Sequence, residues 1–313
     1  MWRRINNKGV PATRHAVRMA LKLLQPLAVE ERRLRRLHRR SYANPGPNFC
    51  WHLDGYDKLK PFGFAIHGAI DGFSRKVMWL HVASTNNNPQ VVALFYVRSL
   101  LQYKVVPCML RSDRGTENVH LERIQKFLRR DGNDMLAGQN SYVYGRSTAN
   151  QRIESWWAIL RRQCTSFWIN MFKDMSTVGL IKTDDPVHIN CLRFCFMHLI
   201  QNDLDRMVID WNSHRIEARK QLGNIAGKPD KMYYTPAEFN TSSFESEYNE
   251  DEIQPVETEL EYGEGEPDII HPDFVKMVNI LCPNWEFPES VHEAQDLYIE
   301  IIGKIADAEN GGQ

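Results

Sequence analysis

The 313-residue chain balances 39 Lys and Arg against 39 Asp and Glu and is 42% hydrophobic, which excludes disorder throughout and allows one domain of roughly 150–200 residues plus extensions. The neutral total hides an asymmetry: residues 1–50 carry twelve basic residues against two acidic, and residues 241–313 carry two against nineteen, a pattern of a polyanion-binding arm and an acidic tail. The six cysteines lack the paired spacing of a disulfide framework, no run approaches eighteen apolar residues, and "MWRRINNKGV" lacks a signal-peptide core, so the expectation is a protein of a reducing intracellular compartment with no membrane span.

In chain order, "ATRHAVRMALKLLQP" has a helical apolar period closed by Pro26, and the arginine-rich "EERRLRRLHRR" continues as helix. Residues 1–45 therefore read as a basic helical arm, compatible with part of a helix-turn-helix. "SYANPGPN" is a linker. "FCWHLDGY", "FGFAIHGAID" and "KVMWLHVA" are three strands of a meander, with Asp71-Gly72 as the turn between the second and third. "NPQVVALFYVRSLLQYK" is an amphipathic helix, "VVPCML" a buried fourth strand, "NVHLERIQKFLRR" a helix, "SYVYG" a fifth strand and "TANQRIESWWAILRRQCTSFW" a long helix. The order β-β-β-α-β-α-β-α implies an α/β fold with a mixed five-stranded sheet flanked by helices. A further helix covers 187–212. Residues 216–240 connect, the polar 241–270 has the composition of a disordered segment, and 271–313 regains enough apolar residues for one or two helices.

Three carboxylates stand out. Alternation along the first strand puts Asp54 with Cys50, His52 and Tyr56, opposite Trp51 and Leu53. Asp113 follows the fourth strand, and strand ends collect sites in open α/β sheets. On the long helix, Asn150, Glu154, Ala158 and Arg161 share one face beside an apolar stripe of Ile153, Trp157, Leu160 and Cys164. Singly, each acid has a dull role as turn former, cap or solvated surface charge. Together they offer the hard oxygen donors of a two-metal phosphodiester site, with ions roughly 3.5–4 Å apart.

"WHLDGYDKL", "AIDGFSRKVMWL", "RSDRGTEN" and "STANQRIESWW", in this order, resemble the integrase core of retroviruses and retrotransposons, including integrase-core-domain proteins of animal genomes. The resemblance spans about residues 46–215. It implies a ribonuclease-H-like fold and an Asp-Asp-Glu site in which Asp54, Asp113 and Glu154 are catalytic and bind two Mg²⁺ or Mn²⁺ ions. "DWNSHRI" resembles the signature that closes such cores. Two departures are visible: Glu154 follows Asp113 at a wider interval than in the retroviral enzymes, and no zinc module of two histidines and two cysteines precedes the core. Expected DNA contacts are Asn150, Arg161, Arg162, Arg114, Arg36, Arg39 and Arg40. Arg111 would offset local negative charge or contact phosphate.

His188, Cys191, Cys195 and His198 invite a zinc reading, but on one helix they spread over about 15 Å, too far for one ion, so a packed face is expected. The leading expectation is a nuclear, DNA-binding polynucleotidyl transferase acting as a dimer or higher multimer, with no membrane and no small-molecule cofactor. The alternatives are a retained, non-catalytic DNA-binding or chromatin protein on the same fold and a simple ribonuclease-H-type nuclease.

Overall fold

The computed structural model describes residues 5, 9–34, 44–145, 150–218, 225–260, 270 and 272–311. It divides into an N-terminal unit, Met1–Ala43 with Arg219–Asn224, and a larger unit, Asn44–Ala218 with Ile225–Gln313. In the first, α1 (Arg14–Leu24) is capped by Thr13, whose Oγ1 accepts the Ala16 N–H at 3.1 Å. Pro26 then opens α2 (Pro26–Leu34) instead of only closing α1; a proline at the first helical position sacrifices no hydrogen bond. Arg36, Arg39 and Arg40 lie outside the described residues.

The larger unit is built on five strands: β1 (Cys50–Tyr56), β2 (Ala65–Asp71), β3 (Val77–Ala83), β4 (Met109–Ser112) and β5 (Tyr142–Tyr144), in the order β3-β2-β1-β4-β5. The β1–β2 and β2–β3 pairs are antiparallel and the β1–β4 and β4–β5 pairs parallel. Helix α3 (Pro89–Tyr103) leads to β4, and α4 (Val119–Leu128) lies between β4 and β5. Helix α5 (Gln151–Leu160) runs through a π turn at Arg161–Thr165 into α6 (Ser166–Thr177); α7 (Pro186–Ser213) and the short α8 (Pro229–Tyr234) follow.

Alternation along β1 divides the interior. Trp51 and Leu53 join Val92, Tyr96, Leu110 and Leu121 in one core, while Tyr56 joins Ile66, Trp156, Phe172 and Phe196 in the other. Asp54, in register with Gly68, therefore faces the α5 side. The closing Trp211-Asn212 pair is structural: Trp211 donates to the Arg75 carbonyl at 2.7 Å, and Asn212 exchanges two hydrogen bonds with the Val77 backbone, as a neighbouring strand would.

Asp71-Gly72 is not a two-residue hairpin turn. The turn is longer and puts Arg75 at φ 64°, because the Asp71 carboxylate organises it: fully buried, it accepts from Ser74 N (2.7 Å), Ser74 Oγ (2.6 Å), Phe73 N (3.2 Å) and Asn48 N (2.9 Å). Asp71→Ala is expected to cost about 2–4 kcal/mol in denaturant unfolding, since it strands several buried donors; a loss below about 1 kcal/mol would contradict that role.

The disordered segment expected at 241–270 is ordered where it is described. Ser246 N bonds to the Val106 carbonyl and Phe244 N to that of Pro47, and α9 (Glu250–Leu260) packs on α3. Ile253, Val256 and Leu260 form a helical stripe that the acidic majority conceals. Its acids also find cations: Glu252 pairs with Arg130 at 2.8 Å, Glu250 with Lys104 at 3.3 Å and Glu257 with Arg98 at 3.8 Å. Beyond it, α10 (Pro272–Leu281) and α11 (Val291–Gly311) complete the core against α7. There Cys191 and Cys195 are fully buried, His188 Nδ1 bonds to the Tyr298 hydroxyl at 2.6 Å, and His198 Nε2 to the Pro288 carbonyl at 2.6 Å. All four are thus part of a packed helical face.

Candidate active site

Because β1 and β4 are parallel neighbours, their C-terminal ends lie together, and Asp54 and Asp113 open into one cleft of about 180 Å³. Gly55, Asp57, Asn86, Asn87 and Glu117 complete its lining. Its oxygen-rich, largely acidic wall suits a cation rather than an apolar ligand.

Asp54 is held from helix α5: the Trp157 indole N–H donates to Asp54 Oδ2 at 2.9 Å. Burial pushes the Asp54 carboxyl up to about 7; the Trp157 bond opposes this, and the charges of Glu154 and Asp113 add to it. Asp54 thus lies within the field of both other carboxylates.

Glu154 sits in the first turn of α5, where the helix dipole favours an acid. It is exposed and is not among the cleft-lining residues. Among the described residues, no three His, Cys, Asp or Glu side chains are drawn together closely enough to hold a metal ion. The donor chemistry of Asp54, Asp113 and Glu154 fits divalent ions.

Asn150, expected at the DNA, has its side chain engaged within the fold. It is fully buried, its Nδ2 donates to the Leu53 carbonyl at 2.8 Å, and its Oδ1 lies 2.7 Å from His52 Nδ1. Since Nδ2 is the donor end, Oδ1 accepts, and His52 carries its proton on Nδ1. Burial lowers the His52 pKa to about 3, with the Asn150 bond opposing. The amide spends both ends fastening the start of α5 to β1, beside Asp54.

Arg114, Arg161 and Arg162 are exposed, the last two on the π turn that follows α5. Arg111 is half-buried on β4, where its charge acts on Cys50 and His52.

Glu117 was not apparent as a cleft residue from sequence, where it reads as a first-turn helix acid. The chain instead makes a 3-10 turn at Thr116–Asn118, with no side-chain cap from Thr116. Glu117 folds back over Gly115, where a Cβ would lie 1.8 Å from its Oε1. Burial raises its pKa, opposed in part by a bond to its own backbone, and the Asp113 charge raises it further. Asn86 is also unforeseen; it donates to Asp57 Oδ1 at 2.8 Å and lines the cleft. The clue, an Asn-rich stretch directly after β3, resembles any helix start.

A family model described as integrase core domain matches residues 41–236. The chain belongs to the integrase core domain family. No curated protein matches the chain. The integrase core match contains all five strands, α3 to α8 and the three carboxylates, and the mixed sheet between helices is the ribonuclease-H-like architecture of that core. Helices α9 to α11 lie beyond the match. Among the described residues, no helix is long and apolar enough to cross a membrane.

Proposed function

We propose that this integrase core is a polynucleotidyl transferase that cleaves and joins DNA phosphodiester bonds, with water and then a DNA 3′-hydroxyl attacking in line. The observation that carries the reading is the convergence of Asp54 and Asp113 from parallel strand ends on one cleft, with Glu154 near enough to raise the Asp54 pKa. Asp54, Asp113 and Glu154 would hold two Mg²⁺ or Mn²⁺ ions. Ions so bound activate an attacking oxygen and stabilise a leaving one.

The protein's own groups then have distinct tasks. Asn150 and His52 fix α5 against β1 and so set where Glu154 stands. Arg114, Arg161 and Arg162, exposed beside the carboxylates in sequence, meet DNA phosphates and give salt-sensitive, weakly sequence-specific binding. The arginine-rich arm adds to this, the protein works as a dimer or higher multimer, and its DNA substrate places it in the nucleus.

One observation favours a second reading, a DNA-binding protein of retrotransposon origin that no longer cuts: Glu154 stands outside the cleft lining. A labelled duplex incubated with Mn²⁺ or Mg²⁺ decides between them. Cleaved and joined products that vanish in Asp113→Asn, with DNA binding unchanged, are expected. DNA binding by a folded wild type that yields no product would establish the second reading.

A further inference from the structure

Gly68 and Trp157 form a device around Asp54 that neither the motif nor the family match assigns. Gly68 is the direct antiparallel partner of Asp54. A Cβ at Gly68 would stand 3.0 Å from Trp157 Cη2 and 3.1 Å from Leu80 Cδ1, closer than such atoms settle without a shift. The missing side chain is therefore the room in which the indole lies across the sheet. Trp157 is 6% exposed and packs on Tyr56 at 5.3 Å and Trp156 at 5.4 Å between ring centroids. Its ring is thus held from several sides, and its N–H reaches Asp54 Oδ2 at 2.9 Å.

An indole at 6% exposure has one polar atom, and it spends it on the carboxylate at the cleft. We infer that Trp157, seated in the space left by Gly68, is a positioning residue that, together with the Gly55 N–H, fixes the Asp54 rotamer and so presents its carboxylate to a divalent cation.

The inference rests on the metal reading of the cleft, and it defines a consequence that packing does not. A carboxylate fixed by an outer hydrogen bond binds a cation without first losing rotamer freedom, and loss of such partners typically weakens metal affinity by about 10–100-fold. Trp157→Phe keeps the aromatic body and removes only the donor. Gly68→Ala keeps both the indole and the Asp54 carboxylate and pushes the ring, with its N–H, a few tenths of an ångström from its seat.

Calorimetric titration of the full chain with Mn²⁺, beside melting curves without the ion, tests this. Trp157→Phe is expected to bind Mn²⁺ at least about 10-fold more weakly than wild type, a change in affinity that packing alone would not cause. Gly68→Ala is expected to fall between the two. In the wild type, Mg²⁺ should also shift one indole ¹H–¹⁵N resonance, the one absent from Trp157→Phe. If Trp157→Phe does not fold, Gly68→Ala carries the test. Binding that needs Asp113 yet is equally tight in wild type and both variants overturns the inference and leaves the metal reading standing. A wild type that takes up no Mn²⁺ overturns both.

Discussion

Asp54→Asn is expected to melt higher than wild type in metal-free buffer above pH 7, while losing all cation-dependent cleavage and joining. The carboxyl titrates near 3.8 in the unfolded chain and is pushed to about 7 in the folded one, chiefly by burial. Between those values the folded state holds a proton that the unfolded state has released, so this group's contribution to stability falls as pH rises through the window and then levels off. A neutral amide escapes that cost and still accepts the Trp157 N–H. After discounting for solvent screening at an open cleft, the gain is about 1–3 kcal/mol. It should disappear as pH falls towards 4. Adding Mn²⁺ at about a thousand times its Kd reverses the order, because a cation that binds only the folded wild type then stabilises it by about 4.1 kcal/mol. Differential scanning fluorimetry at pH 5, 7 and 8, with and without Mn²⁺, supplies every comparison. A variant that melts below wild type at pH 8 without metal would show that the buried Asp54 carboxylate carries no such cost.

Removing residues 241–313 is expected to destroy the fold rather than free a DNA surface. The acidic composition of that stretch suggests a detachable tail that competes with DNA, and on that view its deletion tightens DNA binding. The structure argues otherwise. Ile253, Phe274, Val278, Leu297, Tyr298 and Ile301 are each under 10% exposed in the two cores. At roughly 1.5–3 kcal/mol per buried side chain, six such residues account for about 9–18 kcal/mol. That matches or exceeds the whole stability of a typical domain, about 5–15 kcal/mol. The truncated chain should therefore show no cooperative melt by circular dichroism. The electrostatic idea is better tested with Glu250→Gln, Glu252→Gln and Glu257→Gln combined, which removes the ion pairs to Lys104, Arg130 and Arg98 and keeps the apolar stripe. A truncation that melts within a few degrees of the full chain would return the segment to the status of a tail.

The strands and helices from β1 to α7 were legible from helical periods and from short β-branched and aromatic runs bounded by turn residues, β2 being buried along its whole length. Asp54 and Asp113 were legible as carboxylates that interrupt or end apolar strands. Helix α9 was not, because three apolar positions among eleven residues barely register beside four glutamates and an aspartate. Asn150 was assigned to DNA on resemblance, whereas its amide is consumed by partners 97 and 98 residues away in sequence. No local pattern reports such a pairing. Glu117 and Trp157 were hidden for a related reason: what matters in each is where the side chain is aimed, and that depends on Gly115 and Gly68, residues with no side chain of their own.

The stretch that seals the sheet has a bearing on how the protein is made. Residues 241–246 bond to Pro45, Pro47, Asn48 and Val106, on the segments leading into β1 and β4, and Tyr298 bonds to His188 across 110 positions. A ribosome delivers β1 early and α11 late, so for much of translation the aromatic flank of α7 and the entry to the parallel strands have no cover. Contacts between such distant parts of a chain form slowly and leave sticky intermediates exposed. The integrase core is therefore synthesised before the segments that cover it, and its closing contacts wait until residues 291–311 emerge.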